Sequence, residues 1–273
     1  GLNFCMDVMV FEDGFFFESS TSYHRFAIEL FLFPYIVSQK LDFEFEKSYV
    51  FKLEKMFEFI HHIIDFDGTI PIIGDNDDGR LLILNDYYDW KKDDYRYLLG
   101  MGAYIFDRAD FQQKSFIPQN ELIWIFNKYK NTDFGSSENF KRKSKDLSES
   151  GFYLIIDEEN RNYALTKLQN FSKDSPVAHS HYDMLSLALT HSGHKIFIDA
   201  GSYCYTLNSK KRNLYRSSFY HNVVTLNNSD IHPLSLDAFK MNWAGIKIEL
   251  INWKVDDDNI TFVGQHNGYH KDY

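Results

Sequence analysis

The chain has 273 residues, 44% hydrophobic and 25% charged, enough to bury a real core in one large or two modest domains. Its 29 Lys and Arg against 39 Asp and Glu leave a formal charge of −10, which argues against nucleic acid or an anionic membrane as partner. No run of about 18 apolar residues offers a membrane span, no basic and apolar leader opens the chain, and two cysteines, Cys5 and Cys204, are too few for a disulfide framework.

The first half reads as helices joined by polar loops. Phe26, Leu30, Phe33 and Val37 have the spacing of one buried helix face, with Pro34 expected to kink or shorten that helix. Val50, Leu53, Phe57, Ile60 and Ile64 repeat the pattern more cleanly, and Arg96 to Phe106 and Asn120 to Tyr129 follow it weakly. Helices of this length with short connections pair as antiparallel hairpins. The acidic loop Asp75 to Asp78 is a poor calcium loop, because Gly79 stands fifth rather than sixth and Asp86 rather than Glu stands twelfth, so a structured turn is expected there.

From Asn131 to Ser150 the sequence is polar, rich in Ser and Lys and without periodicity, as a linker would be. Strand patterns begin after it. Gly151 to Asp157 and Tyr163 to Leu168 flank the turn-like Glu158 to Asn162, and Leu185 to Thr190 and Lys195 to Asp199 flank the Gly-containing turn His191 to His194. Val223 to Leu226, Ile246 to Val255 and Ile260 to Gly264 are further strand candidates. Domains are therefore expected at 1–130 and 151–273, with 131–150 between them.

Three residues with metal-ligand chemistry, His181, Asp199 and His221, each stand at the end of one of these strands. Sequence distance forbids a single helix or loop from gathering them, but neighbouring strands would do so, and two imidazoles with one carboxylate are an ordinary zinc set. Between them, Lys210, Lys211, Arg212 and Arg216 make a basic cluster that reverses the local charge, and Tyr203, Tyr205 and Tyr215 offer aromatic faces of the kind that pack against sugars or fill a core.

Around these residues the pattern becomes specific. His179-Ser180-His181-Tyr182-Asp183, an apolar strand ending in Asp199-Ala200-Gly201-Ser202-Tyr203, and His221-Asn222 before another apolar run resemble the C-terminal domain of the heparinase II/III-like polysaccharide lyases. Asp13-Gly14-Phe15-Phe16-Phe17-Glu18-Ser19-Ser20-Thr21-Ser22-Tyr23-His24 is similar to a second segment of that family, and the stretch from Asp67 to Arg80 to a third. The resemblance covers nearly the whole chain but not a whole family member; the start at Gly1, without Met, is also what a fragment would show.

The resemblance implies an α+β, multidomain fold, with the last hairpins of an incomplete α/α toroid followed by an antiparallel β-sandwich. It implies a bacterial polysaccharide lyase, periplasmic or secreted, that cleaves an acidic, uronate-containing glycan by β-elimination. Tyr23 and His179 would share the proton transfers, and zinc on His181, Asp199 and His221 would brace the site. Lys211, Arg216, Tyr203, Tyr205 and Tyr215 are the candidate sugar contacts, and Asp183 is placed to orient His181. The residue that neutralises the uronate lies, in the family, upstream of this stretch. A non-catalytic glycan-binding or envelope-assembly factor with structural zinc, or a zinc-dependent hydrolase, stays open beside the lyase.

Overall fold

The computed structural model describes the chain except residues 42, 82–83, 85–90, 116–118, 128–139, 170, 172–176, 257–258 and 271–273. The expected linker over 131–139, the end of the helix anticipated to Tyr129, and Ser175-Pro176 ahead of the histidine motif lie outside the described residues. The chain forms two compact units: a helical one (Gly1–Phe16, Ser22–Ile70, Asp77–Arg142) and a sheet unit (Phe17–Thr21, Pro71–Asn76, Lys143–Tyr273). Two short segments from the first half of the sequence thus belong to the sheet unit.

In the helical unit, α1 (Leu2–Met9), α2 (Thr21–Ser38), α3 (Lys47–Ile63), α4 (Arg96–Phe106), α5 (Ala109–Lys114) and α6 (Gln119–Phe126) follow in order. The best-patterned helix, α3, buries Leu53, Met56, Phe57, Ile60 and Ile63 completely, each contributing about 1.5–3 kcal/mol of transfer free energy. Helix α4 meets it at Gly102, where a Cβ would lie 2.7 Å from the Phe57 ring. Helix α2 departs from expectation twice. It runs through Pro34, and the backbone bond that proline cannot donate is lost at the carbonyl of Leu30, an exposed residue. Its apolar stripe also faces outward, with Leu30 and Val37 exposed, while His24, Arg25, Ala27, Ile28, Glu29, Phe31 and Leu32 are buried. Charged residues fill that face: Glu29 accepts from Tyr97 Oη at 2.6 Å and from Arg80 Nε at 3.2 Å, and Arg80 lies over the Tyr97 ring. A buried polar network hid that face.

The sheet unit holds an antiparallel five-stranded sheet in sequential order: β1 (Lys145–Leu147), β2 (Phe152–Asp157), β3 (Asn162–Lys167), β4 (Leu187–His191) and β5 (His194–Phe197). β6 (Ile248–Val255) and β7 (Ile260–His266) form a separate hairpin. Strand β1 lies in the stretch read as linker, where Leu147 pairs with Phe152. The core gathers Tyr153, Leu168, Phe171, Val177, Tyr182, Met184, Trp243 and Ile248, with Trp253 and Phe262 at 5.4 and 5.0 Å from the Tyr153 ring. Helix α7 (Ser209–Arg216) and a 3-10 turn (Ser218–Tyr220) cross the region between β5 and β6. Val223 to Leu226 is not a strand; the backbone instead docks beside β4 through Asn222, whose Nδ2 donates to the carbonyls of Leu187 and Ile198. Among the described residues no helix is long and apolar enough to cross a membrane.

Candidate active site

Alternation along β3 turns Tyr163, Leu165 and Lys167 inward. The ammonium of Lys167 is therefore buried, and it donates to both oxygens of Asp183 at 2.9 and 3.0 Å. Asp183 was expected to orient His181; its carboxylate is spent on Lys167 instead. Burial works to raise its pKa, but the positive charge of Lys167, with His221 and His181 nearby, outweighs this and leaves it lowered.

The segment Pro71–Asn76 threads the sheet unit. Gly74 has φ +65°, and a Cβ there would lie 2.5 Å from the His179 carbonyl oxygen and 2.7 Å from that of Ser19. Only glycine allows this approach, which lets Asp75 donate its amide to the His179 carbonyl at 2.9 Å while Ser20 Oγ donates to the Asp75 carbonyl at 2.7 Å. Asn76 is tied to Ser202 by two hydrogen bonds.

So held, the fully buried Asp75 carboxylate is shared by three side chains. Oδ2 accepts from His179 Nδ1 at 2.9 Å and from Arg212 Nη2 at 2.8 Å; Oδ1 accepts from His181 Nε2 at 2.8 Å and from Arg212 Nη1. Burial would raise the Asp75 pKa, but the hydrogen bonds from both histidines and the charges of His181 and Arg212 hold it well below the usual carboxylate range. The far nitrogen of His179, Nε2, is 3.9 Å from Glu18 Oε2. Burial raises the pKa of Glu18, with His179 opposing.

The rings of His181 and His221 are neighbours, with centroids 5.2 Å apart and planes tilted by 35°. His221 Nδ1 donates to Asp199 Oδ2 at 2.6 Å, and Asp199 Oδ1 accepts from the Gly201 amide at 2.8 Å. Burial lowers the His181 pKa against the pull of Asp75, whereas at His221 burial is outweighed by Asp199 and the pKa is raised. His181 Nδ1 and His221 Nε2 are buried and have no hydrogen-bond partner. Two orphaned imidazole nitrogens on adjacent rings are what a metal-binding pair presents. The expected third donor, Asp199, is on His221 in this geometry and would exchange that bond for a metal bond to join them; among the described residues no three side chains stand as a ready-made metal set. The structure thus brings His181, Asp199 and His221 together.

The basic cluster is helical, not a loop. Asn208 caps α7, its Oδ1 accepting from the Lys211 amide at 3.0 Å. Four-residue spacing then places Arg212 and Arg216 on the buried side. Arg216 was expected to meet sugar, but it is fully buried and donates to the carbonyls of Ser235, Asp237, Ala238 and Lys240 and to Asn213 Oδ1. It shapes the 235–240 loop from a fully buried position and offers no surface to a ligand in solvent. Lys211 remains at the surface with its ammonium 4.5 Å over the Tyr203 ring, and Tyr203 stacks on Tyr215 at 5.9 Å and 24°. Tyr205 stacks on Phe239 and lies 6.2 Å edge-on from the His179 ring. These three tyrosines and Lys211 form an aromatic and cationic surface.

In the helical unit, Tyr23 is half-buried in the first turn of α2. His24 is structural: its Nδ1 accepts from the Phe16 amide, its Nε2 donates to the Met56 carbonyl, and burial depresses its pKa to about 3. Sequence reasoning named Asp75 only as part of an acidic turn and Arg212 only as part of a basic cluster, and gave neither a place in the site. The signal available was weak: an Asp directly after a glycine, and one Arg among four basic residues.

A family model described as "Heparinase II/III N-terminus" matches residues 2–93, and one described as "Heparinase II/III-like, C-terminal" matches 140–273. The chain is 27% identical over 234 residues to a heparin-sulfate lyase of Bacteroides stercoris and 30% identical over 240 residues to one of Pedobacter heparinus, matching 83% and 84% of itself. A crystal structure of the heparan sulfate lyase HepC from Pedobacter heparinus superposes with a TM-score of 0.68 at 23% identity, covering 98% of this chain and 37% of that one. The chain spans about a third of the length of the curated relatives it matches, 30% and 31%. Two family models in sequence order, over most of its length, mean that the chain belongs to the heparinase II/III-like family.

Proposed function

We propose that this chain is the part of a polysaccharide lyase that carries the last hairpins of an α/α toroid and the start of a β-sandwich, cleaving a uronate-containing glycan by β-elimination outside the cytoplasm. The observation that carries the reading is His179, held through Nδ1 by a buried carboxylate, in a chain whose two curated relatives are both heparin-sulfate lyases. In the reaction the C5 proton is removed, the C4–O4 bond breaks, a C4–C5 double bond forms and O4 leaves with a proton. Tyr23 and His179 share the removal and the return of protons. Phenol and imidazole titrate near 10 and 6.5 before their surroundings act, a spacing that suits one acid and one base. Lys211 with Tyr203, Tyr205 and Tyr215 binds the acidic chain. Zinc held by His181, His221 and Asp199 supplies, when bound, a fixed positive charge that braces this end of the site.

The test is the full-length protein with heparan sulfate and other uronate polymers, following absorbance of the unsaturated product. A rising signal lost in Tyr23→Phe and His179→Ala is expected, by a factor of about 10² to 10⁴ for each proton-transfer group. Reducing ends without unsaturation would mark a hydrolase, and binding without turnover a glycan-binding factor; either overturns the proposal.

A further inference from the structure

We propose that Asp75 is a positioning residue that sets the tautomers of two imidazoles at once, the proton-transfer His179 and the zinc-facing His181; the inference rests on the lyase reading for the tasks of those two rings. An ionised carboxylate only accepts hydrogen bonds, and Asp75 is kept ionised by the bidentate Arg212 guanidinium. Each imidazole nitrogen facing it must therefore carry the hydrogen. For His179 that nitrogen is Nδ1, which leaves the lone pair of the neutral ring on Nε2. For His181 it is Nε2, whose 2.8 Å bond to Asp75 outweighs the 3.5 Å approach of Arg212 Nη1 to the same nitrogen, and this leaves the lone pair on Nδ1, the buried nitrogen that has no hydrogen-bond partner. One carboxylate thus presents opposite edges of two rings, Nε2 of the one for a proton and Nδ1 of the other for a metal.

Arg212 completes the device. It donates to both Asp75 oxygens and, through Nε, to the Ala238 carbonyl, so the carboxylate cannot rotate away from either ring. A mere counter-ion for Arg212 would not need two imidazoles bound through different nitrogens. Polar partners of this kind, when removed, cost about 10- to 100-fold in metal affinity or activity.

The experiment uses full-length protein labelled with ¹⁵N-histidine, free of zinc, comparing wild type with Asp75→Asn in long-range ¹H–¹⁵N spectra. Wild type should show His179 as the Nδ1–H tautomer, the less favoured form of a free imidazole, and His181 as Nε2–H. In Asp75→Asn, His179 should revert to Nε2–H, zinc affinity should fall about 10- to 100-fold, and kcat should fall by a similar factor with KM nearly unchanged. Asp75→Asn/Arg212→Gln, which leaves no unpaired buried guanidinium, should reproduce these shifts if the single variant folds poorly. Unchanged tautomers, or unchanged zinc affinity and kcat, in the folded variant overturn the proposal. Wild type that neither binds zinc nor makes unsaturated product would overturn the lyase reading, while the tautomer spectra would still decide what Asp75 does.

Discussion

Replacing Lys167 by Met leaves the Asp183 carboxylate charged and buried beneath His181 and His221. Both side chains of the pair are 2% exposed, so water cannot compensate for the lost ammonium. Breaking a buried pair by removing one member costs about 3–5 kcal/mol, whereas replacing both with apolar groups of similar volume is often neutral. Lys167→Met should therefore lose about 3–5 kcal/mol in urea unfolding at pH 7, and Lys167→Met/Asp183→Leu should recover most of it. The pH dependence supplies a second check. In wild type the Asp183 pKa is depressed, so its contribution is present above the unfolded value of about 3.9 and is lost as pH falls through the lower folded value. In Lys167→Met, desolvation without a partner raises that pKa, so the sign reverses and the deficit shrinks on acidification. A single-variant deficit below about 1 kcal/mol, or a double variant no better than the single, would refute the reasoning.

Gly74→Ala forces a Cβ into the His179 carbonyl at a positive φ and should cost about 1–3 kcal/mol or more in thermal unfolding. Zinc content should fall with it. Arg216→Lys should lower stability by several kcal/mol through lost charged hydrogen bonds, whereas Lys211→Ala should leave stability within about 0.5 kcal/mol and raise KM for the acidic polymer. A KM effect in Arg216 variants that keep their stability would restore that residue to the groove. His24, with its folded pKa depressed to about 3, makes stability fall as pH drops below about 6.5, at about 1.4 kcal/mol per pH unit until the folded value is reached. His24→Gln should flatten that slope; a parallel slope in the variant assigns it to other groups.

How much of this was legible in the sequence depends on what each residue interacts with. Helix α3 and the β2–β3 hairpin are amphipathic or alternating against apolar neighbours, and their patterns located them. His181, Asp199 and His221 were grouped as ends of strands, yet β4 begins only at Leu187 and Val223 to Leu226 is not a strand, so their proximity comes from the loops between the strands. The outward stripe of α2 misled because the buried face is held by Arg25 and Glu29, charges that hydrophobic periodicity counts as surface. Asp75 was invisible for another reason. It lies 104 and 106 residues from the imidazoles it holds, in a segment whose neighbours in the chain belong to the helical unit. Arg216 was misassigned because four-residue spacing on α7 separates Lys211 and Tyr215 from Arg212 and Arg216, a division that appears only once those residues form a helix.

The most direct measurement is the zinc content of the purified full-length protein and of His181→Ala, His221→Ala and Asp199→Ala, each confirmed folded by circular dichroism. One zinc per chain in wild type, falling to near zero in both histidine variants and sharply in the aspartate variant, is the predicted result. Wild type without zinc after reconstitution, or the same zinc content in all four proteins, would contradict a shared ion among these three side chains.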